Sequence, residues 1–412
     1  MEGKNIKKRI KKIFYWFLVI LMALPILLVG VLNIPQTQVY IAKKITNKIS
    51  ENIDGDISIE KFSINFALKI NLKKVLIKDK EHDTLLYAEH IKVRIGNINR
   101  TAKVININKA EITGLNFCLR KHKKASTLNI NYFIRQLSTK KTSQKWSINV
   151  SNAILVNSSF IFDNYNHDKK PASESGMDYN RIGIENINAK ISDFYFRNDT
   201  IGFWVKKMSA TEHSGLVIKD LHSRMKISST GWKMEDLGIE TPLSNIVAII
   251  NLSYSEYSDM SDWINKINMS ATIKPSQLEM SDIKYFAPLL ADMKNQIHIT
   301  GEISGTISQL NVKNLMLYYK DNTKLYGDIN MIGLPNINET FIHLKMKDCE
   351  TSQKELLGFK LPNNKALILP NKFSKLGYVT INGNFTGFLD NFVSYATFNT
   401  DLGELNTDIK LY

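Results

Sequence analysis

The sequence predicts a mainly β chain: one elongated antiparallel sheet rolled into a groove, preceded by one transmembrane helix and a short amphipathic helix. Three observations predict it. A charge-free run of 20 residues lies near the start, two-residue hydrophobic alternation recurs along the rest, and turn dipeptides punctuate that alternation.

Residues 1–12 form a basic tail, with Lys4, Lys7, Lys8, Arg9, Lys11 and Lys12 against Glu2. Residues 13–32 (IFYWFLVILMALPILLVGVL) then carry no charge. At 1.5 Å per helical residue such a run spans roughly 30 Å, the thickness of a bilayer's hydrocarbon core. Ile13, Trp16, Leu21, Leu24, Leu28 and Leu32 are the anchoring side chains, and Trp16 suits the headgroup region. The run is longer than a signal-peptide core and no small-x-small site follows it, so an uncleaved anchor is expected. The cluster Lys7, Lys8, Arg9, Lys11 and Lys12 keeps the N-terminus cytoplasmic by the positive-inside rule, which puts the remaining body across the membrane.

Residues 33–55 are the connection. Within them Ile41, Ile45 and Ile49 recur at four-residue spacing, one apolar stripe of a short helix over Val39–Asn52 that closes at Asp54-Gly55. From residue 56 to 412 the period changes to two. Phe62, Ile64, Phe66, Leu68, Ile70 and Leu72 alternate with small or polar residues and predict one strand with an apolar face. Ile91/Val93/Ile95, Ile105/Ile107, Leu115/Phe117/Leu119 and Ile297/Ile299 continue the pattern. Gly96-Asn97, Thr113-Gly114, Asn322-Thr323, Tyr326-Gly327-Asp328 and Asn382-Gly383 read as turns between strands. Only Asn131–Leu137 and Ser281–Met293 read as further helix, and Asn164–Tyr179 as a polar surface insertion.

A weak repeat, I-x-G-x-[IF]-[ST]-G-x-[IL], joins Ile299–Ile307 to Ile381–Leu389. Glycine at every fourth position inside strands marks bends or bulges that curve a sheet. The groove-lining residues are then Phe62, Ile64, Phe66, Leu68, Ile70, Leu72, Ile91, Val93, Ile95, Ile105 and Ile107. A closed core made of the same side chains stays open as the alternative.

Composition excludes several functions. The net charge of +15 is too thinly spread over 412 residues for nucleic-acid binding, and two cysteines cannot build a disulfide framework. No phosphate loop, H-E-x-x-H, C-x-x-C or G-x-S-x-G occurs, so neither catalysis nor a cofactor is expected. Asp220/His222/Ser223 and Glu212-His213 read as solvated polar residues, Cys118 as a small buried side chain, and Lys121–Lys124 as a charged turn.

The ordered set of Ile34-Pro35-Gln36-Thr37 after the anchor, Asp83-Thr84-Leu85-Leu86, Ala110–Leu115, Glu212–Leu216, Thr241–Ser244, the paired glycines Gly301/Gly305 and Gly383/Gly387, and Leu402–Leu405 resembles the AsmA/TamB superfamily. The likeness is to the N-terminal portion of translocation and assembly module proteins of Bacteroidota-type envelopes. The resemblance implies a β-taco, a single sheet folded around an apolar groove and anchored in the inner membrane. It implies a role in outer-membrane biogenesis, with phospholipid acyl chains or an outer-membrane barrel protein as partners. Relatives are longer, and Ile409–Tyr412 reads as mid-strand, so either a truncated piece of a longer chain or a short paralogue is expected.

Overall fold

The computed structural model describes residues 34–50, 56–65, 68–133, 146–171, 176–286, 288, 295–357, 359 and 367–411. The expected basic tail (1–12) and anchor (13–32) lie outside them. Among the described residues no helix is long and apolar enough to cross a membrane.

Helix α1 (Pro35–Ser50) begins with proline at its first turn, where the missing N–H costs nothing, and packs against the first strand. Eighteen strands follow: β1 (Ile57–Ile64), β2 (Lys69–Lys78), β3 (Thr84–Asn99), β4 (Val104–Lys121), β5 (Ser147–Asn164), β6 (Arg181–Arg197), β7 (Thr200–Glu212), β8 (Val217–Ser228) and β9 (Gly231–Glu240). The second half holds β10 (Asn245–Ser253), β11 (Asn268–Glu279), β12 (Gln296–Thr306), β13 (Gln309–Tyr319), β14 (Thr323–Ile332), β15 (Phe341–Ser352), β16 (Tyr378–Gly387), β17 (Phe392–Thr400) and β18 (Gly403–Leu411). Every strand pairs with its neighbours in sequence, which makes one long open sheet. All pairs are antiparallel except β4–β5. That parallel step needs a return crossing between the strands, of which the described part after β4 carries a helical turn at 129–133.

Several expected boundaries move. The run Phe62–Leu72 is a hairpin and not one strand: the chain turns at 65–68, Leu68 takes φ 50°, and its N–H bonds to the Asn65 carbonyl. The hairpin restores the face, because Phe62 pairs with Leu72 and Ile64 with Ile70. Four of the dipeptides read as turns lie inside strands: Gly96 in β3, Gly114 in β4, Gly327 in β14 and Gly383 in β16. Their glycines admit a close neighbour. A Cβ on Gly327 would collide with the Lys345 carbonyl oxygen, and one on Gly383 with that of Tyr395. Ser281–Met293 gives a 3-10 turn at Met280–Tyr285, with 289–294 outside the described residues.

The strands keep one face apolar by a device beyond alternation. Along β2 the apolar positions run Ile70, Leu72, then Val75, Ile77, a step of three at Lys74, whose φ is 47°. The same step occurs at Gly114 in β4 (φ 62°), Asn157 in β5 (φ 46°) and Asn186 in β6 (φ 54°). Neighbouring register pairs put Lys74 beside Glu89, and Glu89 beside Gly114, so these kinks form a crease across strands. In the second half β9, β11, β13 and β15 each carry a bulge, while β10, β12, β14 and β16 do not. A bulge adds one outward residue, bends the strand and increases twist, yet returns the next apolar side chain to the same face.

The sheet curls at its middle. Tyr179, just before β6, donates its hydroxyl to the Phe286 carbonyl at 3.3 Å, and Met177 N donates to the Tyr285 carbonyl at 2.7 Å. On a flat sheet β6 and β11 would lie about 24 Å apart at 4.8 Å per strand. The β11–β12 connector also holds the β7–β8 turn, through Tyr285 to the Gly215 carbonyl (3.1 Å), and the β9–β10 turn, through Asp282 to Thr241 and Ser244 (2.7 Å each). Four connectors on one rim are thus tied together.

Candidate functional site: the apolar face and its waist

The candidate site is the apolar face itself. One row of directly paired residues runs Phe62, Leu72, Ile91, Ile112, Leu155, Ala189, Met208, Leu221, Ile239 and Ile246, from β1 to β10. On the same face of β10 a second row starts at Ile250 and continues through Ala271, Ile303, Val312, Ile329, Leu344, Phe385 and Ser394 to Ile409 of β18. The opposite face is polar: Ser63, Asn71, Lys92 and Glu111 are paired in one row, closed by a Lys92–Glu111 ion pair at 3.1 Å.

Of the residues expected to line a groove, Phe62, Ile64, Ile70, Leu72, Ile91, Val93, Ile95, Ile105 and Ile107 share this face. Phe62 is buried and the others are half-buried. Phe66 lies outside the described residues. Leu68 leaves the face for the hairpin turn and is 45% exposed. Among the described residues Leu252, Tyr254 and Ile267 form one packed cluster, flanked by Trp232, Met234, Met260, Trp263 and Met269, while other buried apolar side chains such as Phe62, Val75, Leu85 and Ile297 are spread along the sheet and most of the row residues are half-buried. Most of the apolar face is therefore neither sealed nor fully wet.

That cluster marks a waist. The β10–β11 connector, residues 254–267, folds back onto the apolar face: Trp263 packs edge-on against Trp232 of β9, 5.8 Å between centroids. The Tyr254 hydroxyl donates to the Ser228 carbonyl at 2.6 Å. Asp259 accepts from the N–H groups of Ser255 and Glu256 (3.0 and 3.2 Å) and from Lys266 Nζ (3.2 Å). These backbone bonds, then Lys266, hold its carboxyl below the usual aspartate range. Facing this insert are the ends of β4–β6 and the 165–180 strap. Between them lies a cleft of about 480 Å³, bounded by Phe162, Met260, Trp263 and Ile264 on its apolar side and by Lys121, His167, Asn180 and Lys266 on its polar side.

At the rim beside it, Asp79 is 3% exposed and accepts from His122 Nε2 (3.1 Å), Asn129 Nδ2 (3.0 Å) and the N–H groups of Glu81 and Asp83. Burial raises its pKa, but the bonds from Asn129 and His122 outweigh that and lower it overall. Asp79, Asp83 and His122 cluster closely enough to suggest metal ligands. The imidazole, however, turns Nε2 to Asp79 and Nδ1 to Asp83 (3.9 Å), bridging two carboxylates, whereas one shared ion would take a single nitrogen. The group clasps the β2–β3 turn to the chain after β4.

The polar groups singled out in sequence are not brought together. His222 and Asp220 lie on the polar face (3.5 Å apart), while Ser223 is fully buried and donates to the Glu235 carbonyl. His213 pairs with Glu185 at 2.8 Å, and Glu212 instead accepts from Ser214. Cys118 is 1% exposed and bonds Asn116, and both cysteines are free thiols. Of the turn Lys121–Lys124, Lys121 lines the waist and His122 the clasp. The insert itself was missed in sequence; its signal is Trp263-Ile264 interrupting a polar stretch, too short to read as an element.

No family model, curated protein or solved structure matches this chain.

Proposed function

We propose that this chain is an inner-membrane-anchored periplasmic protein of outer-membrane biogenesis, a β-taco whose apolar face is a groove for phospholipid acyl chains moving between membranes. The observation that carries this reading is the pair of apolar rows running from β1 to β18, most of whose side chains are half-buried and not enclosed. A compact fold would spend such residues on a closed interior. Here they remain half-accessible along a face that a hydrocarbon chain can cover.

Each methylene moved out of water gains about 0.8 kcal/mol, so two chains of roughly 16 carbons gain on the order of 20 kcal/mol. Because successive strands present similar side chains, that gain changes little from one position to the next, and a lipid can slide while its headgroup stays wet. The charge-free run 13–32 and the basic cluster before it supply the anchor and the orientation. The resemblance to the AsmA/TamB superfamily agrees with each element of this reading.

A photoreactive residue at Leu72 or Ile112, in cells, tests it. Phospholipid adducts at both positions are expected, and their absence at both would refute the groove. A second reading is a chaperone that adds strands of an outer-membrane barrel protein to a sheet edge by β-augmentation. Adducts to barrel proteins at a sheet edge, with none to lipid on the rows, would favour it.

A further inference from the structure

We infer that the cleft at the waist is a subsite for the phosphodiester of a glycerophospholipid, so that the groove reads headgroups at one point along its length. The inference rests on the lipid-groove reading and adds the chemical class that the waist selects. Along the rows the wall is apolar except at Ser394. At the waist Lys121, His167 and Lys266 share the lining of a cleft of about 480 Å³ with Phe162, Met260 and Trp263. That volume falls in the range of small-molecule sites, and its two-sided lining matches a molecule with an anionic end and a hydrocarbon end.

Both walls are held in place. Trp263 packs edge-on against Trp232, and Asp259 fixes Lys266 at 3.2 Å. The Ile264 carbonyl accepts from Ser308 N at 3.0 Å, and the strap is bonded to the β11–β12 connector through Met177 and Tyr179. A preformed cleft loses little entropy on binding. The one carboxylate on its lining, Asp262, is engaged: Oδ1 accepts from Asn265 N and Nδ2, which caps the short helix of the insert. Lys266 gives Asp259 one of its N–H groups and has others to donate, and Lys121 and His167 add donors to the polar wall. A phosphate there would draw charge-assisted contacts from lysine, while its glycerol and upper chains lie on Phe162 and Trp263, already in line with the rows.

The test uses the full chain in maltoside micelles with a benzophenone side chain at Met260, and four probes at matched concentration: dihexanoyl phosphatidylglycerol, dihexanoyl phosphatidylcholine, dihexanoylglycerol and inorganic phosphate. Saturable labelling by both phosphodiesters, with a saturable change in tryptophan emission, is expected; the other two should give neither. Equal binding of dihexanoylglycerol would remove phosphate recognition and overturn the proposal. A full tryptophan response to inorganic phosphate would replace the lipid subsite with a simple ion site. Lys121→Gln should weaken phosphatidylglycerol about tenfold, equivalent to about 1.4 kcal/mol, and unchanged affinity would also overturn it. The wild-type probe comparison stands even if that variant folds poorly. Lipid labelling at Leu72 without labelling at Met260 sinks the waist and leaves the groove; no labelling at either sinks both.

Discussion

Leu155→Asp separates an open face from a sealed one. Leu155 sits mid-row in β5, between Ile112 of β4 and Ala189 of β6, and is half-buried. Full burial of a leucine is worth about 1.5–3 kcal/mol, so losing a half-buried one costs about 1 kcal/mol. The new carboxylate stays within reach of water, and the penalty of several kcal/mol for sealing a charge inside does not arise. Hydrogen exchange should then show β4–β6 still protected, weakened by about that amount. Passing a hydrocarbon chain over the site strips water from the carboxylate; if that costs about 3 kcal/mol, lipid labelling beyond it, at Ile303, falls roughly 100-fold. The control is Ala248→Asp: Ala248 is 1% exposed between Leu237 and Ile273, and a charge there should abolish protection across β9–β11. If Leu155→Asp abolishes protection in β4–β6 as completely, the apolar side chains form a closed interior and the reasoning is wrong.

The crease gives a second test. At Gly114, φ is 62° and a Cβ would sit 3.0 Å from that of Glu89, so Gly114→Val should cost about 1–2 kcal/mol in the exchange of β4 and leave β14–β18 unchanged. Acid should loosen the waist first. The carboxyls of Asp79 and Asp259 are lower in the folded state than unfolded, so their contribution is complete above the ordinary aspartate value of about 4 and is lost as pH falls through the folded values. Trp263 emission should therefore hold steady from pH 7 to 5 and change only below about pH 4; a transition near pH 6 would contradict the assignment. Burial pushes both thiols up, so maleimide labelling at pH 7 should be slow at Cys349 and slower at Cys118, which is almost fully enclosed.

Much of the fold was legible because a half-buried strand writes its period into the sequence. Alternation located β1, β3, β4 and β12 and put nine of the expected lining residues on one face. What alternation hid was the step of three. Pairs such as Leu72/Val75, Ile112/Leu115 and Val312/Leu315 break a strict period of two, and a reading that expects that period takes the polar doublet between them as a turn. Thr113-Gly114 was misread for that reason. Local chemistry does not distinguish a turn from a kink, since both want φ > 0; only the pairing on either side decides. The waist was hidden for a different reason. Its parts come from β5, the strap and the β10–β11 insert, about a hundred residues apart, and meet only because accumulated strand twist curls the sheet.

A binding point on a path meant for sliding sets its own upper limit on strength. Along the rows a lipid gains nearly the same burial everywhere, so transit is limited by the deepest well it meets. At the waist the added stabilisation comes from two lysines and a histidine at a solvent-open rim, where each charge-assisted contact is worth about 1.5–3 kcal/mol before desolvation is deducted. A net gain of about 3 kcal/mol slows escape roughly 100-fold relative to a neighbouring position, whereas 8 kcal/mol would slow it nearly a million-fold and stop the flow. A groove that both reads headgroups and passes lipids therefore requires a weak waist. The expected dissociation constant for dihexanoyl phosphatidylglycerol lies between about 10 μM and 1 mM, with release faster than about 10 per second at an association rate near 10⁶ M⁻¹s⁻¹. Stopped-flow tryptophan emission measures both quantities, and nanomolar binding with release over minutes would make the waist a storage site and end the case for a conduit through it.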